Sequence, residues 1–155
     1  MKNTKTKKIF FALLALMVSS SLLFLNPQTT LADLTSLSLS PITGGPYKAG
    51  GTFSVNIWAK TGGIQVDTIR ASLTFPANLL EAQSVSLGSI YSAPSGGNYI
   101  DNNRGAIYWG AGAYGGTAAD TAFATIIFKA KSAGTANVSF NADSLMISAG
   151  QAVPF

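Results

Sequence analysis

Apolar and polar residues alternate in short runs through most of this chain, which is typical of β-strands with one buried face. In the run Val66–Phe75, every second residue from Ile69 onward is apolar and the residues between are polar. Pro76 follows, and proline ends such a run because it has no N–H for the sheet ladder. Thr52–Ala59 and Thr121–Lys131 repeat the pattern. We therefore predict three strong strands.

Weaker alternation between turn-forming segments predicts the remaining strands. They are Thr35–Ser40, Leu79–Leu87, two short strands within Asn98–Asn103 and Gly105–Gly112, Thr135–Asn141 and Ser144–Ser148. Loops rich in glycine or proline are predicted at Pro41–Gly51, Gly88–Tyr99 and Ala113–Asp120. After residue 32, no segment holds apolar residues at helical spacing for three turns. We predict an all-β fold, an eight- to nine-stranded β-sandwich whose two sheets share one core.

The first 32 residues have the three parts of a secretory signal peptide. Lys2, Lys5, Lys7 and Lys8 form a basic head, Ile9–Leu25 is uncharged and apolar, and Thr30–Ala32 has small residues at its two ends. We expect cleavage after Ala32 and a secreted or cell-surface domain over residues 33–155. The alternative is a retained signal segment, which would be the only membrane contact. The ending Gly150–Phe155 is not polar, so either the domain is truncated at its C-terminus or Phe155 docks on it.

The net charge of +4 comes entirely from the basic head. Six basic and six acidic residues follow residue 32, so the predicted domain is neutral and has no electrostatic attraction to nucleic acid. The chain has no cysteine and no histidine, which excludes disulfides, the usual catalytic triads and imidazole metal sites. The acidic residues are dispersed, whereas glycoside hydrolysis needs two facing carboxylates. We predict no enzyme activity, no catalytic residue, no metal and no cofactor.

Four segments together resemble one known family. They are Leu73–Glu81 followed by Val85, Tyr47–Ala59, Asn102–Tyr114 and Ala122–Phe140, the last being the best match. In their order and spacing along the chain, they are similar to cohesin domains, the nine-stranded jelly-roll modules of cellulosome scaffoldins, which are related to cellulose-binding modules. The aspartate that precedes the proline in that family is missing, and Pro76 lies one position early. The resemblance implies jelly-roll topology and a non-catalytic binding module.

The resemblance implies two kinds of partner. The first is a polysaccharide, bound by exposed aromatic and polar side chains. In the wider family such binding contributes to polysaccharide breakdown. The alternative is a dockerin-like protein held on one face of a sheet, and a structural or adhesive surface domain is a third possibility. Alternation predicts two outward faces for a protein partner, one with Arg70, Ser72 and Thr74 beside Thr68, the other with Thr125 and Lys129.

Aromatic side chains are the main candidates for a polysaccharide site, because the C–H face of a sugar stacks on an aromatic ring. Alternation places Trp58 away from the core, and it favours Tyr108 for the surface. Three further tyrosines lie in or beside glycine-rich loops: Tyr91, Tyr99 and Tyr114. They either line a ligand groove at one end of the sandwich or anchor the loops by packing.

A polar cluster next to Arg104 has a similar double interpretation. Asp101 and Asn102 carry oxygen atoms that suit sugar hydroxyls or a calcium ion. The same residues, followed by Asn103-Arg104-Gly105, also make a good turn sequence.

Overall fold

The chain forms eleven strands over the part that the structure describes. This computed structural model describes residues 35–155, and the predicted signal peptide lies outside them. The strands are β1 Ser36–Pro41, β2 Thr52–Lys60, β3 Val66–Thr74, β4 Leu80–Leu87, β5 Ala93–Pro94, β6 Tyr99–Asp101, β7 Ala106–Thr117, β8 Thr121–Ala130, β9 Ser139–Phe140, β10 Leu145–Ser148 and β11 Gln151–Val153. Within residues 35–155, no helix is long and apolar enough to cross a membrane.

The strands form two antiparallel sheets, which confirms the predicted β-sandwich. One sheet has the order β1-β2-β8-β4. The other has the order β11-β10-β3-β7-β5, with β6 also paired to β7 and β9 to β3. The chain crosses between the sheets after β2, β3, β4, β7 and β8, as expected for a jelly roll.

One apolar layer between the sheets holds the domain together. From the four-stranded sheet it receives Ile57 and Ile126, and from the seven-stranded sheet it receives Ile69, Leu73 and Met146, all of them fully buried. Each of these residues is flanked along its strand by residues that face outward, as the period of two requires. The three strong strands predicted from alternation are therefore confirmed, with β2 and β8 at the centre of one sheet and β3 at the centre of the other.

Thr135–Asn141 was predicted as a strand, and the structure contradicts most of it. Only Ser139–Phe140 pairs, with the end of β3. Residues 131–137 are exposed and lie outside the strands of both sheets. With Leu39, Phe53 and Leu79 opposite, part of this segment lines an apolar groove of about 620 Å³.

The predicted glycine-rich loop Ala113–Asp120 is wrong for its first five residues, because β7 continues to Thr117, and only residues 118–120 connect β7 to β8. Gly115 and Gly116 have φ values of 74° and 69°. Glycine tolerates this left-handed conformation, and a register shift in the β3–β7 pairing lets the strand resume at Val66↔Thr117.

The last strand, β11, was not predicted. It forms a hairpin with β10 through Ala149 and Gly150, whose φ values of 49° and 78° suit a two-residue turn. Val153 is buried in the core, whereas Phe155 is 44% exposed.

A glycine substitution tests the close approach of β4 to β8. A Cβ atom on Gly88 would lie 2.1 Å from the carbonyl oxygen of Ala122, and the backbone there is fixed by a 2.8 Å bond from the Gly88 N–H to the Phe123 oxygen. We expect Gly88→Ala to lower the free energy of unfolding by about 3 kcal/mol in urea denaturation. Gly96→Ala is the matched control, since no atom lies within 4 Å of its Cβ position. Equal effects of the two substitutions would contradict the predicted clash.

Candidate functional site

The outer face of the seven-stranded sheet carries a row of three side chains, Arg70, Tyr108 and Tyr99, called here the arginine–tyrosine row. Tyr108 of β7 lies between Ser72 of β3 and Tyr99 of β6 in the strand register. The two tyrosine rings stack with centroids 5.7 Å apart and planes within 5°. The Arg70 guanidinium carbon lies 5.5 Å from the Tyr108 ring centroid, which is a cation–π distance.

The surface around this row is partly apolar. Gly110 and Gly112 are the β7 neighbours of Arg70 and Thr68, so β7 itself adds no side chain there. The Ser95 side chain covers the buried Gly110 instead. On the other side, β10 places the half-buried Leu145 and Ile147 opposite the same two β3 residues. Sequence analysis did not single out these two aliphatic residues, although they alternate with the buried Met146.

Two residues predicted for this partner face are occupied within the fold. Ser72 is buried, because the turn at residues 141–144 covers it: the Asn141 Nδ2 donates to the Ser72 hydroxyl, and the Ser144 hydroxyl donates to the Ser72 carbonyl. The exposed Thr74 donates its own hydroxyl proton to Asn141 Oδ1 at 2.7 Å. Ser72 is therefore not available to a partner, whereas Arg70 remains at the surface.

The second predicted face lies on the opposite side of the sandwich, on the four-stranded sheet. Trp58 is 42% exposed there, as alternation predicted. Thr125 donates its hydroxyl proton to Asn56 at 2.8 Å, so these two side chains satisfy each other. Lys129 pairs laterally with Thr52 and Glu81 in the strand register.

The predicted loop tyrosines do not gather into one groove. Tyr91 is fully buried, so it does not line an exposed ligand groove and instead anchors its loop by packing, the second of the two predicted roles. Its ring packs edge-on against Phe123, and its hydroxyl donates to the Val66 carbonyl at 3.2 Å. Tyr114 is 92% exposed on β7 and stacks on no other ring among the described residues. Tyr99, in contrast, belongs to the arginine–tyrosine row.

Asp101 and Asn102 form a turn, the second of their two predicted roles. The Asp101 carboxylate accepts the backbone N–H groups of Asn103 and Arg104. The Asn102 side chain forms two bonds with the backbone of Ala82, at 2.8 and 2.9 Å, which ties the turn to β4. Their polar atoms are thus used to hold the turn. Within residues 35–155, no three acidic side chains come close enough to hold a metal ion.

The comparison that identifies the family is a match over the sandwich itself. The model of the cohesin domain family matches residues 40–153, which span β2 to β11 and the end of β1. The chain belongs to the cohesin domain family. This confirms the resemblance seen in the sequence, and cohesin domains are non-catalytic binding modules. No curated protein matches the chain.

Solved cohesin structures share the fold at low sequence identity. The sixth cohesin of scaffoldin B from Acetivibrio cellulolyticus, in complex with the Cel5 dockerin, is 23% identical with a TM-score of 0.60, over 77% of this chain and 91% of that one. A type II cohesin from the same organism is 10% identical with a TM-score of 0.66, over 77% and 87%. The OlpA cohesin of Clostridium thermocellum, in complex with a dockerin, is 14% identical with a TM-score of 0.58, over 76% and 92%.

The buried Tyr91 predicts an alkaline loss of stability. Burial raises the pKa of Tyr91 to about 12, and the nearby Asp67 carboxylate contributes to the same shift. The neutral phenol is therefore favoured in the fold, and its stabilising effect is complete below the ordinary tyrosine pKa of about 10 and is lost as the pH rises from about 10 to about 12. We expect the free energy of unfolding to fall more steeply over that window for the wild type than for Tyr91→Phe, measured by urea denaturation. Parallel pH profiles would contradict a buried, titrating Tyr91.

Proposed function

We propose that this chain is a non-catalytic cohesin module that binds a dockerin-like protein on the outer face of its seven-stranded sheet. Membership of the cohesin family and the cohesin–dockerin complexes among its structural relatives support the protein partner. They favour this alternative over the polysaccharide that we expected first. The arginine–tyrosine row is the observation that supports the choice of face.

The composition of the row suits a protein interface. Tyrosine and arginine are enriched among the residues that contribute most to protein binding. Stacking restrains Tyr99, Tyr108 and Arg70 before a partner arrives, which lowers the entropic cost of ordering them. The half-buried Leu145 and Ile147 extend the surface with apolar area that excludes water from the row.

The outer face of the four-stranded sheet suits a protein partner less well. Most of its side chains are small and hydroxylated: Ser38, Ser40, Thr52, Ser54, Ser84, Ser86 and Thr125. Serine and threonine are under-represented among energetically important interface residues. Trp58 is the large exposed aromatic of this face, and its register neighbours are Ser38 and Ala122.

The acidic residues support a non-catalytic role, because the fold uses three of them in turns. Asp67 accepts the backbone N–H of Ala149 at 2.8 Å, and Asp120 accepts that of Thr61 at the same distance. Asp101 holds the turn before β7. A carboxylate engaged in this way is poorly placed for acid–base work on a substrate.

We also propose that the module acts outside the cytoplasm. The basic head, the apolar run Ile9–Leu25 and the small residues before residue 33 form an export signal. The fold begins immediately after this segment, since β1 starts at Ser36.

Matched aromatic substitutions on opposite faces test the proposed binding face. We expect the chain to bind at least one member of a panel of dockerin modules, measured by isothermal titration calorimetry. Tyr108→Ala should weaken that binding by about 2 kcal/mol or more, because it removes the central ring of the row. Trp58→Ala, on the other face, should leave the affinity unchanged.

The reverse pattern, with binding lost only in Trp58→Ala, would move the site to the four-stranded sheet. Binding to no dockerin would contradict the proposed function. Affinity electrophoresis through soluble polysaccharides would then decide between the carbohydrate alternative and a structural or adhesive role.

A further inference from the structure

Arg70 is a cation held in place without a counter-charge. Its Nε donates to the backbone carbonyl of Asp143 at 3.0 Å, and its guanidinium lies over the Tyr108 ring. Within residues 35–155 Arg70 forms no ion pair, and the basic residue that does is Arg104, 3.7 Å from Asp101. Its two terminal nitrogens have no hydrogen-bond acceptor in the described chain. The side chain is half-buried, so it is already partly removed from water.

The surroundings of Arg70 leave room for a side chain from outside. A shallow recess of about 430 Å³ adjoins it, between the turn at residues 141–145 and the chain end at residues 152–155. Leu145 and Phe155 contribute apolar walls to this recess. Asp143 also lines it, but the exposed Asp143 carboxylate makes no ion pair with Arg70.

We infer that the partner places an aspartate or glutamate carboxylate against Arg70, an inference that rests on the proposed dockerin-binding function. An interface on this face removes the guanidinium from water, and a buried charge without a partner is strongly unfavourable. The two free terminal nitrogens match the two oxygens of a carboxylate, which is the strongest neutralising geometry for arginine. Arg70 is thus a specificity-determining residue that favours dockerins with an acidic residue at that position.

Substitutions of Arg70 test this inference with the full chain on a surface plasmon resonance chip and a dockerin that binds it. Arg70→Met should raise the Kd by about 30-fold or more, because one member of a desolvated charge pair is lost. Arg70→Lys keeps the positive charge but not the planar pair of donors, so its Kd should lie between those of the wild type and Arg70→Met. Lys129→Met is the matched control, since it removes the same charge from the opposite face and should leave the Kd unchanged.

Changing the dockerin's exposed Asp and Glu residues one by one to Asn and Gln identifies the carboxylate. One such change should weaken wild-type binding, and Arg70→Met should then cost less than about 3-fold against that dockerin variant, because the two changes remove the same interaction. Thermal melting of each variant establishes that it is folded.

Three results are distinguishable. An unchanged Kd for Arg70→Met, with dockerin still bound, overturns the inference and leaves the proposed function intact. A weakened Kd that couples to no dockerin carboxylate shows that Arg70 meets a neutral acceptor, and it also overturns the inference. Binding of the wild type to no dockerin overturns the proposed function, and the inference falls with it.

Discussion

The apolar layer between the two sheets decides which residues reach each outer surface. The chain has no cysteine, so this layer holds the sandwich without disulfide support. Ile69, Ala71 and Leu73 of β3 are fully buried in it, which forces Arg70 to the outside. Because side chains alternate with a period of two, a slip of one residue would exchange the two sets and bury a charge. The strand register that packs the core therefore also determines which side chains form the proposed binding face.

Alternation in the sequence was sufficient where a strand has one apolar and one polar face over its full length, as in β2, β3 and β8. Alternation failed where the backbone conformation, or the presence of a neighbouring strand, determines whether a segment forms a strand. The continuation of β7 depends on the left-handed Gly115 and Gly116, and β11 depends on the hairpin turn at Ala149. The run Thr135–Asn141 alternates in sequence, but only its end has a strand to pair with.

The same reason limits what the sequence could say about the site. Trp58, Tyr108 and Arg70 were each placed correctly at the surface, because their own strands alternate. The arginine–tyrosine row could not be predicted, since it joins three strands whose register is set by pairing across the sheet. Tyr91 looked equivalent to Tyr99 in its glycine-rich surroundings, yet its ring contacts Phe123 in the core. Family membership then favours a protein partner over a polysaccharide.

Hydroxyl-radical footprinting of the chain, alone and with a bound dockerin, tests the central claim most directly. Tyr99 is 50% exposed and Trp58 is 42% exposed, so both side chains are open to oxidation in the free protein and report on opposite faces. The account predicts that the partner protects Tyr99 and Tyr108 while the oxidation of Trp58 is unchanged. Protection of Trp58 with continued oxidation of Tyr99 and Tyr108 would contradict it.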